Sequence, residues 1–181
     1  MNKFLTFIVI TFVFFGCSTV EVNIDYDDSY DFKKVKTFAV DSSFDKSGNS
    51  LFKDRVVRAL ENELELKKYK KVSIQKADLI FVFNASVKDK ADIHTSYGVS
   101  RYRGYRYGGM MIETTNTYEY TEGTLIIDAL DKKTKKIVWR GIGVKELKDK
   151  KTPKERTEAV NKSINKIVEK FPSILNTNKE K

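Results

Sequence analysis

Thirteen consecutive residues, Tyr97 to Gly109 (YGVSRYRGYRYGG), hold four tyrosines, three arginines and four glycines. Arg101, Arg103 and Arg106 carry forked donors that pair with phosphate or carboxylate; Tyr102, Tyr105 and Tyr107 offer faces for stacking on sugars or bases. Glycine lets the backbone come close to a ligand. The same composition also describes a hairpin tip kept soluble by its arginines. Elsewhere, Asp128 lies inside the apolar run Leu125–Leu130, where a carboxylate is costly unless paired, and Arg140 on the following strand is its natural partner. Glu113, Glu119 and Glu122 are the acids from which a glycosidase pair would have to come. Trp139 is expected to plug the core beneath a helix, and His94 to sit exposed on a polar strand. One cysteine and one histidine exclude an internal disulfide framework, a four-thiolate zinc site and a multi-histidine metal centre. No metal or cofactor follows from these residues.

The elements that must carry these groups belong to a chain of 181 residues with formal charge +9, 40% hydrophobic residues and only two prolines. That length suits one domain, and the aromatic content supplies the apolar area a folded chain needs. The charge is uneven. Glu21, Asp25, Asp27, Asp28 and Asp31 come with no base between them, whereas Lys132 to Lys151 holds nine bases against Glu146 and Asp149. No nucleic-acid-binding module accompanies the basic excess, so no nucleic acid is expected as partner.

The N-terminus reads as an address. Residues 1–16 (MNKFLTFIVITFVFFG) carry one lysine, no acid and an apolar run too short for the roughly 20 residues a spanning helix requires, the pattern of a secretory signal peptide. The lone cysteine follows directly in Phe14-Phe15-Gly16-Cys17-Ser18, which resembles the lipobox of bacterial lipoproteins. That resemblance implies acylation of Cys17, a lipidated anchor over residues 17–19, and a mature chain of 165 residues at +8. Two or more acyl chains hold a protein stably in a membrane. Serine after the cysteine matches the pattern of delivery to the outer membrane, facing the periplasm. That compartment lacks ATP, which disfavours kinases and ATPases.

Along the body, Val20, Val22, Ile24 and Tyr26 alternate with polar residues as in a half-buried strand, and Val35–Val40 reads as a second. Phe52, Val56, Leu60 and Leu64 recur every four residues and predict a helix over about 51–67, capped by Asn49 or Ser50. A short strand is expected at 69–74. Asp78–Val87 is apolar on both faces, as a central strand would be, and its polar extension suggests a projecting hairpin arm returning through Ile112–Tyr120. Gly123–Leu130 and Ile137–Leu147 complete the strands. Thr152-Pro153-Lys154-Glu155 is a capping box with proline at the first helical position, and Val160, Ile164, Ile167, Val168 and Phe171 form the buried stripe of that last helix. Residues 20–175 therefore read as a single α+β domain: a mostly antiparallel sheet with two helices on one face and a projecting arm. Residues 176–181 read as a flexible tail.

Tyr120-x-Glu122-Gly123-Thr124-Leu125-Ile126-Ile127-Asp128-x-x-Asp131, followed by Lys136-Ile137-Val138-Trp139-Arg140-Gly141, resembles the signature hairpin of a bacterial envelope lipoprotein family, domain of unknown function 4136. Asp31-Phe32-x-x-Val35-Lys36-Thr37-Phe38, Ala77-Asp78-Leu79 and Phe171-Pro172 extend the likeness over nearly the whole body. The resemblance implies an envelope lipoprotein of α+β fold and transfers no catalytic residues. The expectation is a lipid-anchored, non-catalytic binding or interaction domain. Its partner would be the membrane through Cys17 and, beyond it, an envelope protein, lipopolysaccharide or peptidoglycan. Two rival readings stand beside it: an enzyme acting on envelope glycans, and a direct lipopolysaccharide or peptidoglycan binder through the Tyr/Arg/Gly-rich loop. Oligomeric state is open.

Overall fold

The computed structural model describes residues 20–100, 110–147 and 152–173. The expected signal peptide, the Cys17 anchor, the arginine–tyrosine loop from Arg101 to Tyr107 and the C-terminal tail lie outside the described residues. The elements run β1 (Glu21–Tyr26), β2 (Thr37–Asp41), α1 (Ser50–Leu66), β3 (Lys70–Lys71), β4 (Leu79–Ser100), β5 (Met110–Asp131), β6 (Ile137–Leu147) and α2 (Pro153–Glu169). They form one six-stranded sheet in the order β1-β6-β5-β4-β2-β3.

The α+β class holds, but the sheet is mixed rather than mostly antiparallel. β1–β6, β6–β5 and β5–β4 pair antiparallel, while β2 lies parallel to both β4 and β3. The reason is the first helix. A strand followed by a helix and then another strand of the same sheet is a crossover, and a crossover returns the chain parallel. Strand periodicity shows which residues are buried but not which way a neighbour runs.

Local chemistry accounts for the helix limits. Asn49 caps α1 by accepting from Phe52 N at 3.0 Å. α1 ends in a Schellman arrangement, with Tyr69 N donating to Leu64 O and Lys68 N to Glu65 O, and Lys68 takes a φ of 73° where glycine is usual. Thr152 and Glu155 form the reciprocal capping box of α2, with Pro153 in the first turn. Val56, Ala59, Leu60 and Leu64 of α1 meet Ile164, Ile167 and Val168 of α2 in a single core with Phe38, Leu79, Phe81, Phe83, Leu125, Ile127 and Trp139. Both helices thus cover one face of the sheet. Arg55 Nε donates to Thr157 Oγ1 at 3.1 Å and Asn165 Nδ2 to Glu63 Oε2 at 3.0 Å across the helix pair.

α2 approaches β6 closely because Gly141 and Gly143 have no side chains. A Cβ at Gly141 would overlap Trp139 and Ile167, and one at Gly143 would stand 2.6 Å from Ile167 Cδ1. A bulge at Ala129/Leu130 shifts the β5–β6 register, so Val138 has no direct opposite. Both Val138 and Trp139 are then buried, against strict alternation.

Phe171, just past α2, is the hub of the core. Its ring meets Trp139 edge-on at 5.1 Å, Phe81 at 5.3 Å, Phe32 at 5.8 Å and Tyr69, tilted, at 5.5 Å. The backbone there is tied down as well: Lys67 Nζ donates to Phe171 O at 2.8 Å and Tyr69 OH to Pro172 O at 3.2 Å. Burial pushes the Tyr69 phenol up to about 12 and holds the Lys67 ammonium below its ordinary value.

Candidate functional site

Three places could meet a ligand or partner: the outer face of the sheet, an apolar groove, and the arm. On the outer face, Asp128 and Arg140 stand directly opposite each other on β5 and β6. Arg140 Nε donates to Asp128 Oδ1 at 2.6 Å and Nη2 to Oδ2 at 2.7 Å, a two-pronged pair that holds the guanidinium above its ordinary pKa. Both oxygens of Asp128 are thereby engaged, and the pair serves to fix β5 against β6. Trp139, next in the chain, points the other way. It is buried under α2, and its Nε1–H has no acceptor among the described residues.

Two further carboxylates, both within the stretches that carry the family resemblance, are architectural. Asp78 Oδ2 accepts from Lys36 N at 3.0 Å, Thr37 N at 2.9 Å and Thr37 Oγ1 at 2.7 Å, fastening the start of β2 to β4. Asp131 Oδ1 accepts from Lys133 N, Thr134 N and Thr134 Oγ1 in the β5–β6 turn, while Oδ2 takes the Tyr30 hydroxyl at 2.8 Å. Burial alone would raise both carboxyls. The donors outweigh it and hold Asp78 and Asp131 below the usual carboxylate range. Tyr30, desolvated and bonded to Asp131, is correspondingly raised.

The glutamates singled out in the sequence do not converge. Glu113 and Glu119 are exposed on the arm and six residues apart, about 20 Å along a strand, far beyond the spacing of a glycosidase pair. Glu122 lies on the opposite face of β5 from Glu119 and pairs with Lys90 at 2.7 Å. It stands opposite Glu146, which accepts from Tyr118 OH at 3.1 Å. These bonds hold the Lys90 ammonium and the Tyr118 phenol above their ordinary values. His94 lies exposed on the arm, opposite Asn116. Among the described residues no cluster of three His, Cys, Asp or Glu side chains could hold a metal.

Sequence reasoning missed the groove. Where the arm leaves the sheet, Val20, Phe52, Val87, Gly123, Leu147 and Val160 line a mostly apolar cavity of about 140 Å³, between the helices and the strand ends. Gly123 and Gly143 lie in its wall, but Leu147 and Ile167 already fill the room beside them, so no spacing in the sequence announces the groove. Its mostly apolar wall, with Ser86, Thr124, Lys145 and Ser163 as the polar exceptions, suits a small apolar group; an engineered apolar cavity of about 150 Å³ holds one benzene ring. Val20 in its wall is three residues from Cys17, a reach of about 10 Å. No helix among the described residues is long and apolar enough to cross a membrane.

Among solved structures, the chain is similar to a PDZ domain protein from Parabacteroides distasonis, with TM-score 0.56 and 18% identity over 83% of this chain and 35% of that one. It thus spans about a third of that protein's length. It is also similar to the PelC dodecamer from Paraburkholderia phytofirmans, with TM-score 0.50 and 10% identity over 83% of this chain and 95% of that one. At these identities the likeness is one of fold. No curated protein matches the chain in sequence. A family model, domain of unknown function (DUF4136), matches residues 22–173, from the second residue of β1 to just past the Phe171 hub. The match takes in every described element, and the chain belongs to the DUF4136 family.

Proposed function

We propose that this chain is a lipid-anchored interaction domain that faces the periplasm from the outer membrane and performs no catalysis of its own. The observation that carries the reading is the order Phe14-Phe15-Gly16-Cys17-Ser18 after an apolar leader, with Cys17 three residues before Val20, the first described residue. Acylation of Cys17 would tether the body at the open end of β1, an edge strand, leaving the rest of the sheet and the arm free to meet a partner. The deployment of the carboxylates supports a non-catalytic role: Asp78, Asp128, Asp131 and Glu122 are each engaged in bonds that hold elements together. The similarity to PelC, a protein that forms a dodecamer, supports assembly as a use to which this fold is put. The partner would be another envelope component met through the arm.

The test is metabolic labelling with a fatty acid, alongside membrane fractionation of the wild type and Cys17→Ser. Label on the wild type that disappears in the variant, with the wild type in the outer-membrane fraction, is the expected result. Label that survives Cys17→Ser, or an unlabelled protein in the cytosol, would refute the anchor.

A further inference from the structure

Past the end of β6 the arm is, among the described residues, a ribbon of two strands. Eleven register pairs, from Lys90–Tyr120 to Ser100–Met110, have no third strand beside them among the described residues. That ribbon is about 37 Å long, and the side chains of Lys90–Tyr97 and Glu113–Glu119 are all exposed. A lone two-stranded hairpin is marginal in water, and its free edges are templates for another strand. Nor does the ribbon suit a bilayer: Lys90, Asp92 and His94 lie on one face and Asp89, Glu113 and Glu119 on the other.

The two edges differ. β4 carries Lys88 and Lys90, the sort of residue that guards an edge against pairing. The free edge of β5, Met110–Tyr120 (MMIETTNTYEY), has no lysine, arginine or proline, and its register to β4 runs without a bulge. We propose that two copies of this chain pair through this edge of β5, antiparallel, about a twofold axis at Thr115. The inference rests on reading the domain as an interaction module and names its partner as a second copy.

Charge selects the arrangement. Parallel in-register pairing would set Glu113 against Glu113 and Glu119 against Glu119, and an antiparallel axis at Asn116 would set Glu113 against Glu119 twice. The axis at Thr115 sets Glu113 against Thr117 and Thr114 against Asn116, and it places Glu119 at the register of position 111. No acid then stands directly opposite an acid, and Glu113 and Glu119 of the two copies are brought no nearer than diagonal neighbours. It also uses all eleven residues. A ladder of that length supplies about ten main-chain hydrogen bonds, as many as a typical stable interface contains. Because both copies use the same strand, the contact closes on itself and stops at two.

The test uses the full chain carrying Cys17→Ser, in mild detergent, so that an added cysteine is the only thiol. Under mild oxidation Thr115→Cys is expected to form a disulfide-linked dimer at least about tenfold faster than His94→Cys, an exposed site on β4 at nearly the same height on the arm. In sedimentation, Thr115→Lys should raise the dimer dissociation constant at least about tenfold with an unchanged circular-dichroism spectrum, which separates edge pairing from association through the apolar leader. Equal crosslinking at both positions, or a dimer indifferent to Thr115→Lys, would overturn the proposal. Because these variants lack the acylated thiol, the outcome stands apart from the fate of the anchor. Capture of foreign envelope proteins at Thr115→Cys without self-pairing would sink the dimer and leave the interaction reading standing.

Discussion

Phe171→Ala tests whether the core is organised around one ring. The side chain is 2% exposed and touches four aromatic rings drawn from the β1–β2 connection, the segment after α1, β4 and β6. Truncation would remove most of a buried phenyl group and leave a void whose walls are the stiff rings of Phe32, Tyr69, Phe81 and Trp139, which cannot all collapse inward. Phe→Ala at buried sites costs about 3–5 kcal/mol, and the poor collapse expected here favours the upper half of that range. Against a total stability of about 5–15 kcal/mol the loss is large, and for a domain of this size it lowers Tm by about 6–20 °C. The bonds from the Lys67 ammonium and the Tyr69 hydroxyl go to main-chain carbonyls that the substitution keeps, so the effect isolates the ring. The assay is urea denaturation followed by emission of Trp139, the only tryptophan, with Phe171→Leu as the control that keeps most of the area and loses the edge-on contacts, at about 1–2 kcal/mol. A loss below about 1 kcal/mol for Phe171→Ala, with an unchanged denaturant slope, would refute the hub.

Gly143→Ala should destabilise by about 1–3 kcal/mol through overpacking against Ile167, and Ile167→Val, which removes the Cδ1 atom in the way, should restore part of it in a chemical denaturation series. Lys68→Gly should instead stabilise by about 0.5–1 kcal/mol, because it relieves a side chain in the left-handed region at the end of α1; a lower Tm would contradict this. The depressed carboxyls of Asp78 and Asp131 contribute stability that is fully present above the ordinary aspartate pKa and is lost as pH falls through their lower folded values. Asp131→Asn should therefore lower the urea midpoint at pH 6, and the gap to wild type should narrow as pH falls toward 2; a gap that stays constant would count against the turn-capping role.

The features legible in the sequence are those written in local chemistry. The capping box at Thr152–Glu155, the four-residue stripe of α1, and the strands around Ile24, Ile127 and Trp139 each follow from residue spacing, and the structure has elements there. The hairpin arm was legible too, since the polar residues after Val87 continue a strand that has lost its core. What escaped depends on residues far apart in the chain. The parallel lane of β2 is imposed by the crossover through α1, β3 shrinks to Lys70–Lys71, and the apolar groove exists only where two helices meet strands leaving the sheet. The roles of Asp78 and Asp131 were hidden for another reason. An aspartate in a turn and an aspartate in a site look alike until the donors around it are known.

The arm and the sheet are not joined by a hinge. β4 and β5 each run 22 residues without interruption, about 75 Å, from the projecting end into the centre of the sheet. A pull applied far from the body is therefore delivered along two continuous strands to the middle of the sheet, where it loads the ladders to β2 and β6 in shear, many hydrogen bonds at once. Whatever force the ribbon passes on is thus met by the body of the sheet as a whole and not one bond at a time.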